Sequence, residues 1–333
     1  MWPSTFAGRQ ACRSMGGRGV ATRCTARKKV TLQTIRRLYD KQTPITMLTA
    51  YDYPTGLLVD RAGVDLCLVG DSLGMVALGY DSTVAVTMQE MLHHCRATRR
   101  GCRQAMLVGD MPFGSFQASA EQAIRNGFRM MQEGHVESVK LEAGEEMAEH
   151  VRRMVQAGIP VLGHVGLRPQ HLNTYGGFRV QGKKAEQAIG IIKDALALQE
   201  AGCWGVIIEC VPDEVAAAVT QRLQIPTIGI GAGRECSGQV LVYSDVLGLF
   251  DKFSPRFCKQ YGQLAGPITE ALAQYCDETR ERRFPAPEHS LPMNEVERER
   301  LDEALRVFDA QRGMAHPAPL TASPVKKSLQ AHS

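Results

Sequence analysis

Seven short runs of aliphatic and β-branched residues recur along the chain, at about residues 45–50, 65–70, 104–109, 138–142, 160–165, 204–210 and 225–230, with a weaker eighth near 239–245. Between them lie stretches of helical length and pattern, among them 54–62, 88–100, 119–133, 145–157, 185–201 and 213–223. This alternation constrains the fold more than any other feature. An apolar run of four or five residues suits a strand buried on both faces, as in a parallel sheet covered by helices. Seven or eight such units in order favour a closed (β/α)8 TIM barrel over an open doubly wound sheet, and 333 residues hold the roughly 250 that a barrel needs. Ala62-Gly63, Ala157-Gly158 and Ala201-Gly202 precede strands and read as helix ends, because glycine takes the left-handed conformation found there. Gly229, Gly231 and Gly233 close the seventh run instead of opening the first βα unit, so they lack the context of a dinucleotide fingerprint. Their use is either close approach of backbone to a ligand or a tight turn.

Charge divides the chain. Residues 1–39 hold seven Arg and two Lys with no acid, whereas the remaining 294 hold 30 basic and 35 acidic side chains, a net of −5. An acidic body gives no support to nucleic-acid binding. The leader, rich in Arg, Ser, Thr, Ala and Gly and without an apolar core, has the composition of a transit peptide over residues 1–30, with mitochondrial import expected and a plastid or a plain cytoplasmic tail as alternatives. No apolar stretch approaches the roughly 18 residues of a membrane span, so no membrane partner is expected. Ten cysteines without a C-x-x-C pair suggest buried thiols in a reducing compartment and no disulfide. Val296, Leu301, Leu305 and Phe308 mark an amphipathic helix over 294–312, and the Pro, Ala, Ser and Lys content beyond Gly313 reads as a tail, so a C-terminal extension is expected over 291–333.

Five of the runs end on an ionisable residue: Asp71, Asp110, Glu142, His164 and Glu209. Inside a buried strand such a residue is costly, but at its C-terminal end it reaches the mouth where α/β barrels place their chemistry. Asp71, Asp110 and Glu142 offer the oxygen ligands a hard cation such as magnesium accepts. The alternative is that each carboxylate caps the following helix. Glu209, preceded by Val206, Ile207 and Ile208, is a partly desolvated carboxylate suited to be a general base, unless it simply pairs with Lys140. Lys140 and Ser72 can hold a substrate carboxylate. Lys140 could instead form a Schiff base, although an ammonium on the same strand face as Glu142 stays protonated and favours the electrostatic role. His164 is placed to donate to a developing oxyanion or to orient a ligand.

With these residues in hand, the chain resembles the ketopantoate hydroxymethyltransferase family from residue 31 to about 290. The resemblance rests on ITMLTAYDYPTG, LVGDSLGMVALGYDSTVAVT, VGDMPFGSF, SVKLEAG, GHVGLRPQHLNTYGGFRVQG, VIIECVP, IPTIGIGAG and the late PEHS. It implies a barrel of the phosphoenolpyruvate and isocitrate lyase type, with magnesium on Asp71, Asp110 and Glu142, ketoacid contacts from Asp71, Ser72, Asp110 and Lys140, and Glu209 as proton acceptor. It further implies 3-methyl-2-oxobutanoate and 5,10-methylenetetrahydrofolate as substrates and assembly into a homo-oligomer. Two departures stand away from the metal positions: Ser237 where the family usually has Asp, and Tyr243-Ser244 in place of a His-containing stretch. A lyase of the same barrel type is the nearest rival, but the chain lacks the Lys-Lys-Cys-Gly-His segment of those enzymes.

Overall fold

The computed structural model describes residues 27–250 and 255–315. Eight strands, β1 (Ile45–Thr49), β2 (Leu66–Val69), β3 (Met106–Asp110), β4 (Ser138–Glu142), β5 (Val161–Gly166), β6 (Gly205–Glu209), β7 (Thr227–Ile230) and β8 (Gly238–Leu241), pair in parallel, each with its sequence neighbour. The ring closes where β8 pairs with β1, Ile45 opposite Gly238 and Met47 opposite Val240. The weak eighth run is therefore a genuine strand. Its centre lies a few residues earlier than its apolar pattern implies.

Because side chains alternate across a strand, each run divides into an inner and an outer set. Ile45, Met47, Leu66, Leu68, Met106, Val108, Leu162, Ile207, Ile228 and Val240 form one buried cluster inside the ring. Cys67, Val69, Leu107, Val139, Leu141, Val161, Val165, Val206 and Ile208 belong to a second, packed with Val59, Met91, Leu92, Ala123, Met154 and Leu198 of the surrounding helices. These two shells explain why the runs are continuously apolar.

The helices begin and end where local chemistry permits. Asp52, Thr87 and Ser119 cap Tyr53–Ala62, Met88–Gly101 and Ala120–Gln132 by accepting a backbone N–H three residues on. Gly63, Gly158 and Gly202 take φ of +83°, +89° and +100° just after their helices, as the Ala-Gly pairs predict. Gly233 serves packing: a Cβ there would lie 2.5 Å from Asp213 Cβ, so the glycine-rich segment after β7 is a turn pressed against the helix Asp213–Thr220.

Two compact units divide at Tyr243 and Ser244. All eight strands precede that point, and β8 closes the ring on β1, leaving no free edge for later chain. The second unit contains Glu295–Arg312, the expected amphipathic helix, capped by Asn294 and ended by Gly313. It also contains Ala265–Arg280, a helix the sequence pattern did not single out. The tail expected beyond Gly313 lies outside the described residues from 316 onward, as do leader residues 1–26. Arg27–Val30, assigned to the leader by composition, are held by the barrel. Arg27 donates to Val64 O and Asp65, Lys29 to Ala105 O and Glu137, and the Val30 N–H to Gln104 O. The eight cysteines among the described residues are all free. No helix among those residues is long and apolar enough to cross a membrane.

Candidate active site

On β3, β4, β5 and β6 the inner set carries, toward the C-terminal rim, Asp110, Lys140 and Glu142, His164 and Glu209. Asp110 lies opposite Lys140 across β3 and β4, Glu142 opposite His164 across β4 and β5, and Gly166 opposite Glu209 across β5 and β6. Asp71 follows β2 by two residues, and its backbone N–H donates to Asp110 Oδ2 at 3.1 Å. Parallel pairing thus gathers groups up to 138 positions apart in sequence onto one arc of the rim. None of the three acids caps the next helix: Ser119 caps the helix after β3, and the short helices after Asp71 and Glu142 have no side-chain cap. The capping alternative is thereby removed.

Lys140 Nζ donates to Asp110 Oδ2 at 2.5 Å, with both side chains buried. Burial alone would lower the lysine, but the carboxylates of Asp110, Asp71 and Glu142 outweigh it and hold the ammonium above its ordinary range. This supports the electrostatic role over a Schiff base, which needs a free amine. Burial raises Asp110, opposed by Lys140 and reinforced by Asp71. Burial likewise pushes Glu142 up to about 8. Each carboxylate is only half satisfied: Asp110 Oδ1 and Glu142 Oε1 are buried without a hydrogen-bond partner. Unpaired buried carboxylate oxygens are costly in an apolar interior and are what a hard cation accepts. Among the described residues no three His, Cys, Asp or Glu side chains form a ready-made cage. The two unpartnered oxygens, not a complete cage, are of the kind magnesium accepts, since that ion is held by one or two carboxylates and completed by water and substrate.

Glu209 keeps 18% of its side chain open, and burial pushes its carboxyl up to about 7, with Lys140 opposing and Asp71 adding to the shift. Its expected alternative partner, Lys140, is engaged by Asp110. The neighbour it has is His164, whose Nε2 stands 3.3 Å from Glu209 Oε2 and 2.9 Å from Leu167 O. A carbonyl only accepts, so Nε2 carries the proton, and burial holds the ring neutral by lowering its pKa to about 3. His164 therefore spends its donor on Leu167 O, beside Glu209 Oε2, and has none for an oxyanion. Its Nδ1 is a buried acceptor without a partner.

Ser72 Oγ shares a hydrogen bond of 2.9 Å with the Tyr51 hydroxyl, at the rim beyond β1 and β2. Tyr51 escaped notice in the sequence, although the first run also ends on polar groups at Tyr51 and Asp52. Gln170 escaped too. It is buried, and no periodicity marks a loop residue, yet it contacts both Asp71 and Glu142. Beside Glu209 the Gln181 N–H donates to Cys210 O, which fixes the start of an open groove of about 580 Å³ lined by Phe178, Arg179, Val180, Lys183 and Lys184. Of the two departures from the family pattern, one lies away from this rim and the other on it. Ser237 precedes β8 at the opposite rim, where its backbone N–H and hydroxyl bond Thr227. The Tyr243 N–H donates to Thr49 Oγ1.

A family model described as ketopantoate hydroxymethyltransferase matches residues 29–287. A 3-methyl-2-oxobutanoate hydroxymethyltransferase of Emericella nidulans is 51% identical over 83% of this chain and 80% of its own length. A relative from Oryza sativa subsp. japonica, named as the mitochondrial second form of that enzyme, is 52% identical over 79% of this chain and 67% of its own. Among solved structures, a phosphonopyruvate hydrolase complexed with oxalate and magnesium matches 85% of this chain and 99% of its own, with a TM-score of 0.52 at 13% identity. A 2,3-dimethylmalate lyase, described as a member of the PEP mutase/isocitrate lyase superfamily, matches 88% of this chain and 99% of its own, with a TM-score of 0.50 at 16% identity, and both structures bear on fold alone. With a family model spanning most of the chain and relatives half identical over four-fifths of it, this chain belongs to the ketopantoate hydroxymethyltransferase family.

Proposed function

We propose that the rim residues carry out hydroxymethyl transfer from 5,10-methylenetetrahydrofolate to 3-methyl-2-oxobutanoate, giving 2-dehydropantoate and tetrahydrofolate with consumption of one water, a step of pantothenate synthesis. The observation that carries this reading is Glu209, poised near 7 by burial on the same inner face as the unpartnered oxygens of Asp110 and Glu142. A carboxylate with that pKa is an effective base at neutral pH.

Asp71, Asp110 and Glu142 would hold magnesium, which when bound supplies Lewis-acid polarisation of the 2-oxo group. Lys140 and Ser72 hold the carboxylate of the ketoacid, the first by charge and the second through its hydroxyl. Glu209 removes the proton from C3; the water consumed breaks the two C–N bonds of the folate's methylene, its protons going to the two nitrogens and its oxygen to the carbon. The carbanion attacks that formaldehyde-level carbon, and the resulting alkoxide takes back the proton held by Glu209. His164, its Nε2 proton held by Leu167 O and its Nε2 3.3 Å from Glu209 Oε2, packs against the carboxylate and limits the orientations open to it. Burial on the inner face limits access of bulk water to the nascent carbanion. The groove of Phe178, Arg179, Val180, Lys183 and Lys184 offers an aromatic ring and three cations to the extended, anionic tail of the folate.

Purified protein supplied with magnesium, the ketoacid and methylenetetrahydrofolate should form 2-dehydropantoate. Chelator should abolish turnover and magnesium restore it. Absence of product, or turnover indifferent to chelator, would overturn the reading. Mitochondrial import is supported by leader composition and by the name of the rice relative. A fluorescent fusion to residues 1–39 should enter mitochondria, and a cytosolic signal would refute import. Homo-oligomer formation is supported by family resemblance, and light scattering that returns a monomeric mass at micromolar concentration would exclude it.

A further inference from the structure

Gln170 lies in the loop after β5 and is only 3% exposed. Its side-chain Nε2 donates to Asp71 Oδ2 and to Met111 O, both at 2.9 Å, and its backbone N–H donates to Glu142 Oε2, also at 2.9 Å. One loop residue thereby engages a single oxygen of each of two acids that sit on different strands. The orientation of its amide is determined. Gln117 Nε2 donates to Gln170 Oε1 at 3.3 Å, while Gln117 Oε1 accepts from the Gly114 and Phe116 N–H groups. A flipped Gln170 amide would turn an acceptor toward a carboxylate and a carbonyl, and a donor toward the Gln117 amide nitrogen.

These bonds account for which oxygens remain free. With Oε2 taken by the Gln170 N–H, Glu142 retains Oε1, which is buried and unpartnered. With Oδ2 taken by Lys140 and the Asp71 N–H, Asp110 retains Oδ1, also unpartnered. With Oδ2 taken by the Gln170 side chain, Asp71 retains Oδ1. Each acid has one oxygen held by protein and one left over. We propose that Gln170 is a positioning residue for the cation, orienting Asp71 and Glu142 so that one oxygen of each stays available, with Gln117 holding the amide in the required sense. This rests on the magnesium reading above but adds a residue that touches neither the cation nor the reacting atoms.

Outer-shell partners of this kind typically carry 10- to 100-fold of metal affinity. Gln170→Met keeps the length and volume of the side chain and the backbone bond to Glu142 while removing both side-chain donors. Calorimetric titration of the full chain with magnesium, without substrates, should show the dissociation constant raised by about 10- to 100-fold with Tm held within a few degrees of wild type. Gln117→Met, on a partly exposed side chain, should shift the constant in the same direction by less, and it provides the test if Gln170→Met does not fold. An unchanged constant in the folded variants overturns the role of Gln170 and leaves the magnesium reading standing. A wild-type chain that binds no magnesium overturns both.

Discussion

The barrel carries acids at both rims, and the two rims differ in how those acids are satisfied. At the N-terminal rim, Asp65 Oδ1 receives Arg27 while Oδ2 receives the Thr46 N–H and hydroxyl, and Glu137 Oε2 receives Lys29 and the Leu107 N–H. At the C-terminal rim, Asp110 and Glu142 each leave a buried oxygen without a partner, and burial raises both carboxyls. The lower rim spends its polar groups on one another and ties the N-terminal segment to the barrel. The upper rim keeps bonding capacity in reserve, at a cost in stability. That is the division between stability and chemistry expected of the two faces of this barrel.

Substitution at the upper rim should have the largest consequences. Glu209→Gln is expected to lower kcat by about 10²- to 10⁴-fold with the ketoacid still bound, and unchanged turnover would remove the base from its role. Lys140→Met strands the buried Asp110 carboxylate, and calorimetry at pH 8 without magnesium should show a loss of about 3–5 kcal/mol. That loss should shrink on acidification, because a protonated Asp110 no longer needs the ammonium. A variant as stable as wild type at pH 8 would show that the pair is dispensable.

The pH dependence follows from the direction of the Glu209 shift. The base works ionised, so kcat/KM should fall as pH drops through about 7, where the carboxyl takes up a proton. For stability the sign is reversed. A carboxyl raised from an unfolded value near 4.5 to about 7 destabilises the fold above pH 7 and costs progressively less toward pH 4.5. Glu209→Gln should therefore gain stability on the order of 2–3 kcal/mol at pH 8 and lose that advantage near pH 4.5. A stability difference independent of pH would show that the carboxylate is not strained by burial.

The lower rim should respond least. Arg27→Ala removes one partner of a part-exposed pair and should cost about 0.2–1 kcal/mol with kcat unchanged. A large fall in kcat would show that the rims do not divide their work as described.

Much of this site is legible in one dimension because of strand geometry. A residue buried on both faces must be apolar, so an ionisable residue at the end of such a run stands out, and Asp71, Asp110, Glu142, His164 and Glu209 were found that way. Lys140 was placed with Glu142 by the two-residue repeat of a strand. Loop residues have no comparable signature. Gln170 sits in a single 3-10 turn, Pro169–His171, too short to carry a periodic pattern, and its neutral amide is ordinary in composition. The proton position on His164 was equally hidden, since it depends on the Leu167 carbonyl three residues on. The helix Ala265–Arg280 buries no residue and so leaves no strong apolar stripe to read.

What the sequence alone determined was periodic: the alternation of strand and helix, the closed parallel ring, and the identity of the acids at strand ends, because burial on two faces dictates residue type position by position. The tertiary structure alone decided which oxygens of those acids are taken and which remain free. That depends on groups from β3, β4 and the segments after β2 and β5 arriving within hydrogen-bond distance of one another, which is set by closure of the ring.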